Sequence, residues 1–198
     1  MKGIGILKGI AITFQHILDT YLEDIKGGRD RYYTEEGVQA RLDADTKGIF
    51  TVQYPEERLP SYEETRIVPF LVYDEGENGE KDVRCTACGI CAKVCPTQCI
   101  WIDRAEDPET GKPMKEPAHF AIDVDLCMNC GFCAEYCPFD AIKMDHDIEL
   151  ANYDRFQENI HHMDRLLKPA SYYAEIRPLN HAREQEAKQA KSRKRSRK

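Results

Sequence analysis

The sequence predicts an α+β fold in which a small cysteine-rich unit is built twice from one module and flanked by helical and extended arms. Three observations predict it. The segments "CTACGICAKVCPTQCIWID" from Cys85 and "CMNCGFCAEYCPFDAIKMD" from Cys127 match at a constant offset of 42, with nine of nineteen positions identical. Each copy ends in a short apolar strand, "CIWID" or "AIKMD", and the second is preceded by another, "HFAIDVD". Residues 3–25 carry apolar side chains at steps of three and four. Strand, cysteine loop, short helix and strand, taken twice, make a pseudo-twofold unit.

Taken in order, the stripe over Ile4, Leu7, Ile10, Ala11, Phe14, Ile17, Leu18, Tyr21, Leu22 and Ile25 predicts an amphipathic helix within 1–28 that ends at Gly27 and Gly28. Its uncharged run, from Gly9 to Leu18, is about half the roughly twenty residues that a span needs. The stripe fits a helix lying at a membrane surface or docked on a membrane-embedded partner, and equally one packed on its own domain. Residues 29–80 read as an extended arm with a charged insertion and a short helix from Glu35 to Leu42. Within that arm, "IFTVQYP" reads as a strand stopped by Pro55, and "RIVPFLVY" as a second extended segment before the acidic turn "DEGENGEK". The cysteine-rich unit is placed at 81–147, with "RAEDPETGKPMKEPAH" as a charged surface loop between the copies. A C-terminal extension at 148–180 includes "ENIHHMDRLL", read as a polar helical segment with surface histidines at His161 and His162. Residues 181–198 read as a basic disordered tail.

Charge excludes one class of function. The net charge is −7, and the last seventeen residues hold eight Lys or Arg against Glu184 and Glu186. The remainder is therefore strongly acidic, which argues against nucleic acid as a partner. All nine cysteines fall between Cys85 and Cys137. An odd count in tight Cys-x-x-Cys groups suits metal ligation in a reducing compartment better than a disulfide framework. No stretch resembles a secretory signal or transit peptide, so the numbering reads as that of a mature bacterial-type protein.

Each copy carries C-x2-C-x2-C-x3-C-P, the pattern of bacterial ferredoxins with two 4Fe-4S clusters, in which the fourth cysteine serves the other cluster. Three cysteines at two-residue intervals curl a loop around three corners of a cubane, and the fourth, four residues on, lies beyond that loop. One cluster is thus expected on Cys85, Cys88, Cys91 and Cys137, and the other on Cys127, Cys130, Cys133 and Cys95. Gly89 and Gly131 follow the second cysteine of each copy, where a missing Cβ permits unusual dihedrals. Pro96 and Pro138 fix the chain direction beside the fourth. Zinc would need only one Cys-x-x-Cys pair from each of two places, and two complete motifs with their prolines argue against it. Cys99 aligns with Ala141 and reads as a small buried side chain at the start of a strand. Trp101 and Tyr136 read as aromatic packing around a cluster. The chain shows no nucleotide fingerprint, no flavin motif and no nucleophile with a paired base.

Beyond the cysteines, "TVQYPEE" at 51–57, "ELANYDR" followed by "MDRLL", and the N-terminal helix make the chain similar to the I-subunit family of the proton-pumping NADH-quinone oxidoreductase, complex I. The resemblance covers most of the chain apart from 24–46 and the basic tail. It implies a bacterial-ferredoxin-like domain carrying two 4Fe-4S clusters. It also implies a place in a peripheral arm on the cytoplasmic side of the cell membrane, among peripheral-arm and membrane-arm subunits. Electrons from NADH would pass through it toward quinone, with no substrate site of its own. A free soluble ferredoxin would need only 81–147. The equivalent subunit of a membrane-bound hydrogenase or a ferredoxin-dependent quinone reductase has the same wiring task, and the electron donor of the assembly separates these readings.

Overall fold

The computed structural model describes residues 3–43, 46–76, 79–154 and 157–196, which form two compact units, one ending at Ser61 and one beginning at Tyr62. In the first unit the apolar stripe forms helix α1 (Ile4–Gly27), which stops where Gly28 takes φ 48°. None of its side chains is buried. A short turn of helix, α2 (Asp30–Tyr33), leads to α3 (Glu35–Leu42), whose N-cap Thr34 accepts from the Gly37 amide at 3.0 Å.

The Arg41 guanidinium organises the rest of this unit. It is fully buried and donates to the carbonyls of Arg31 at 3.1 Å and Thr51 at 2.6 Å and to both carboxylate oxygens of Glu57. Hydrogen bonds from Arg41 and from the Gln53 amide hold the Glu57 carboxyl down at about 2. The segment expected as a strand, "IFTVQYP", forms none. Its polar backbone is used by this ion pair instead: Thr51 O by Arg41, Gln53 N by Glu57.

The second unit holds two sheets. Strand β1 (Pro69–Glu75) pairs antiparallel with β2 (Lys81–Val83) at one end. After the first cysteine loop and helix α4 (Ile90–Val94), β3 (Ile100–Glu106) turns back through Asp107–Lys112 into β4 (Pro113–Asp123). The second loop, helix α5 (Phe132–Glu135) and strand β5 (Ile142–Met144) repeat the pattern. Then follow β6 (Ile160–His162), α6 (Met163–Leu166), β7 (Leu167–Pro169), α7 (Ala170–Ile176) and α8 (Pro178–Ser196). One sheet is ordered β2-β1-β5, with β7 running parallel along β1; the other is β3-β4-β6.

Strand pairing crosses between the two copies. The strand after the first motif, β3, pairs with the strand before the second, β4, while β5, after the second motif, pairs with β1, before the first. Equivalent bonds close both junctions: Asp123 N donates to Cys99 O at 2.9 Å and Val72 N to Ala141 O at 2.8 Å. Alternation along β1 sends Leu71 into a core shared with Cys85, Cys91, Cys99, Cys133, Phe120 and Ile142. Phe70 and Val72 point the other way, onto Tyr173 of α7.

Four expectations are corrected. Strand β1, assigned to the arm, is the central strand of the cysteine-bearing unit, because both of its faces carry apolar side chains that find partners there. The expected loop between the copies is mostly hairpin. Strands β3 and β4 extend into it through two register shifts, where Arg104 faces Pro117 and Glu106 faces Pro113, positions at which a residue without an amide hydrogen is tolerated. "ENIHHMDRLL" is a strand followed by one helical turn, and His161 is buried on that strand, where burial and then Arg165 hold its pKa down. The basic tail is helical through Ser196. It is tied down by Glu184, which meets Arg84 at 2.9 Å, Lys143 at 3.0 Å and Lys188 at 2.6 Å.

Asp145 closes the unit behind β5. Its buried carboxylate accepts from Lys168, from the Tyr172 hydroxyl at 2.6 Å and from the His146 amide at 2.8 Å. Burial alone would raise its pKa, but the bonds from Lys168 and Tyr172 outweigh it and hold the carboxyl below its ordinary value. A carboxyl depressed on folding stabilises the fold above its unfolded value of about 3.9, and that contribution is lost as pH falls through the lower folded value. Asp145→Asn is expected to cost about 3 kcal/mol at pH 7. Denaturant midpoints should show the gap to the parent protein narrowing below about pH 4, in the range of the unfolded carboxyl.

Candidate metal centre

The eight motif cysteines line two separate apolar cavities. One is lined by Cys85, Cys88, Cys91 and Cys137 together with Leu71, Phe120 and Phe139. The other is lined by Cys127, Cys130, Cys133 and Cys95 together with Pro69, Met128 and Met144. Each therefore combines three cysteines of one copy with the fourth of the other. The cause lies in the strand pairing: β3 starts just beyond Cys95 and runs beside β4, which leads into Cys127, and β5 starts just beyond Cys137 and runs beside β1.

The loops reach this geometry through left-handed backbone at matched positions. Gly89 and Gly131 have φ of 74° and 79°, Ala87 and Asn129 of 52° and 54°, and Gln98 and Asp140 of 54° and 53°. Alanine, glutamine and aspartate pay strain in that region, which persists only where surrounding structure dictates it. Around Gln98 and Asp140 the surroundings are turn bonds, from Gln98 N to Cys95 O at 3.3 Å and from Asp140 N to Cys137 O at 3.5 Å. The backbone amides of Ala87, Asn129, Ala92 and Ala134 favour the ionised forms of Cys85, Cys127, Cys91 and Cys133 against the effect of burial. Such turned amides form concavities suited to an anionic group.

Electrostatics shows what the thiols need. Burial pushes Cys91 and Cys133 each up to about 12 and raises Cys85 as well. Left alone, these thiols keep their protons at neutral pH; iron bound there would supply the missing drive to ionise them. Cys127 is lowered, first by a hydrogen bond from Cys99. Four thiols spread around each cavity suit a cluster with an iron at every corner, and among the described residues no three His, Cys, Asp or Glu side chains form a group that could hold a single ion.

Several supporting residues carried no sequence signal. Arg66 donates to Cys130 O at 2.8 Å and meets Glu135 at 2.6 Å, bracing the second loop, and Arg104 donates to Ala87 O at 3.0 Å, bracing the first. Arg66 and Cys130 are 64 positions apart, so no local pattern connects them. Phe120 and Phe139 line the first cavity, whereas Trp101 is 47% and Tyr136 59% exposed, and neither lines a cavity as the sequence suggested. Cys99 is buried as expected, but its sulfur lies 3.6 Å from that of Cys95.

Comparison with known proteins agrees with this geometry. Residues 84–141 match the family model of a 4Fe-4S dicluster domain, and the domain holds two 4Fe-4S clusters. The chain is 38% identical over 118 residues to "NADH-quinone oxidoreductase subunit I 1" of Anaeromyxobacter dehalogenans, covering 60% of this chain and 45% of that one. It is 47% identical over 105 residues to "NADH-quinone oxidoreductase subunit I 2" of Cereibacter sphaeroides, covering 53% and 60%. These alignments span about half the length of those relatives. With "NAD(P)H-quinone oxidoreductase subunit I" of a Synechococcus species, 35% identity extends over 170 residues, 85% of this chain and 75% of the relative. Taken with the two four-cysteine cavities, that breadth of similarity shows that the chain belongs to the NADH-quinone oxidoreductase subunit I family.

Proposed function

We propose that this chain is the electron relay of an NADH-quinone oxidoreductase assembly, passing electrons one at a time through two 4Fe-4S clusters toward quinone. Cys85, Cys88, Cys91 and Cys137 hold one cluster, and Cys95, Cys127, Cys130 and Cys133 the other. The single observation that carries the reading is the pair of cavities, each lined by three cysteines of one copy and one of the other. Each cluster, when bound, accepts and returns one electron.

The chain's own contribution is position, insulation and charge. Cys91 and Cys133 belong to one apolar core with Leu71, Phe120 and Ile142. The Ala141 amide, 3.4 Å from the Cys137 sulfur, favours an anionic ligand there. Nucleotide and quinone sites belong to partner subunits of the peripheral and membrane arms. Helix α1 supports a membrane-proximal place; the cytoplasmic side is the side that the family resemblance implies. It leaves Leu7, Ile10, Phe14 and Ile25 exposed, and no helix among the described residues is long and apolar enough to cross a membrane. A partner surface at the membrane arm would cover that apolar helix.

Three measurements test the reading. The reconstituted full chain should hold about eight iron and eight sulfide, and zinc without sulfide would end it. Cys95→Ala should damage the cluster built on Cys127, Cys130 and Cys133, Cys137→Ala the other, and Cys99→Ala neither, as read by iron counts and electron paramagnetic resonance of the reduced proteins. The opposite pattern, with Cys99→Ala losing a cluster and Cys95→Ala keeping both, would overturn the ligand sets. Deleting residues 1–26 should leave iron content intact and reduce recovery of the chain with the membrane assembly, whose NADH oxidation should be coupled to quinone reduction.

A further inference from the structure

The two sites share one backbone plan but are dressed differently where the fourth cysteine stands. After Cys95 the chain reads Pro96-Thr97-Gln98-Cys99, and after Cys137 it reads Pro138-Phe139-Asp140-Ala141. The backbone is the same in both, with Gln98 at φ 54° and Asp140 at φ 53°, and with the carbonyls of Cys99 and Ala141 held by equivalent strand amides. Only the side chains differ. Thr97 Oγ1 lies 3.5 Å from Cys95 Sγ, and Cys99 Sγ lies 3.6 Å from it. Cys99 is 1% exposed and faces the second cavity among Cys95, Cys127, Cys130 and Cys133. At the first site the counterparts are a phenyl ring and a methyl group, and Cys137 Sγ accepts from the Ala141 backbone amide at 3.4 Å. Phe139 lines that cavity.

We propose that Thr97 and Cys99 split the potentials of the two clusters, making the cluster on Cys95, Cys127, Cys130 and Cys133 the easier one to reduce. This rests on the ligand sets proposed above. As iron ligands, Cys95 and Cys127 are thiolates without a proton to give, so the Thr97 hydroxyl and the Cys99 thiol are the donors. Reduction adds one negative charge to the cluster and its sulfurs. Donors aimed at those sulfurs stabilise the reduced form more than the oxidised form and raise the potential; two side-chain donors face the fourth cysteine of the second site, whereas the first has the Ala141 amide and an aromatic wall. An electron entering the pair therefore settles on the second cluster. Thr97 and Cys99 are positioning residues here, acting through the ligands rather than as ligands.

The test is a redox titration of the full chain, reconstituted without oxygen and followed by electron paramagnetic resonance, with iron counted in every sample. The parent protein should show two midpoints. The Thr97→Val, Cys99→Ala double variant should keep about eight iron. Its higher midpoint should fall by about tenfold in the reduction equilibrium, about 59 mV for a one-electron couple, while the lower one stays. Thr97→Val alone, which leaves every thiol in place, should give part of that shift. The reverse graft, Phe139→Thr with Ala141→Cys, should raise the lower midpoint. Full iron with unmoved midpoints in both the double variant and the graft overturns the proposal and leaves the ligand sets standing. Loss of a cluster on Cys99→Ala overturns both, because Cys99 would then be a ligand.

Discussion

Everything in the cysteine-bearing unit depends on strands pairing across the repeat rather than within it. Had β3 paired with the strand before its own motif, each copy would have closed on itself and its fourth cysteine would have faced its own loop. Instead β3 lies on β4 and β5 lies on β1, and the two junction bonds, Asp123 N to Cys99 O and Val72 N to Ala141 O, occupy equivalent places. Two copies interlocked in this way bury one common core. Leu71 and Ile142 from one sheet and Phe120 and Ile122 from the other meet in it. The thiols are part of that core, so folding and cluster binding are coupled: iron ionises buried thiols that otherwise stay protonated, and the clusters tie together loops distant in sequence.

So small a core draws further support from charged groups that are buried but paired. Arg84 forks onto Asp74 with two bonds of 2.7 Å and reaches Glu184, which also meets Lys143. Asp145 gathers Lys168 and Tyr172 behind the sheet, and Arg177 donates to Met144 O at 3.1 Å. These contacts fasten the C-terminal helices to β1 and β5, the strands that set the geometry of the first cavity. A residue far along the chain, such as Glu184, thereby bears on the site without approaching a thiol. In the amino-terminal unit a single buried pair, Arg41 with Glu57, plays the corresponding part and takes up backbone groups that would otherwise have made a strand.

The cysteine pattern, the repeat at offset 42 and the helical stripe were legible in the amino acids alone, because each is a local regularity. Ligand spacing of two and three residues is imposed by the shape of a cubane, and a helix shows its period in any window longer than a few turns. Cluster type and cluster number could therefore be written down before any coordinates. Tertiary structure alone decided what surrounds them. Arg66 reaches Cys130 across 64 positions and Arg84 reaches Glu184 across 100, and no periodicity encodes a contact of that range. The burial of His161 depended on a strand that its polar neighbours conceal. Thr97 drew no comment in the sequence and Cys99 read only as a small buried side chain; the folded backbone turns both toward the Cys95 sulfur, and the pairing of β3 with β4 brings Cys99 to Cys127. The repeat states where the two sites are alike, through spacing along the chain; the folded packing states where they differ, because a hydrogen bond to sulfur needs a direction and a distance that spacing alone does not set.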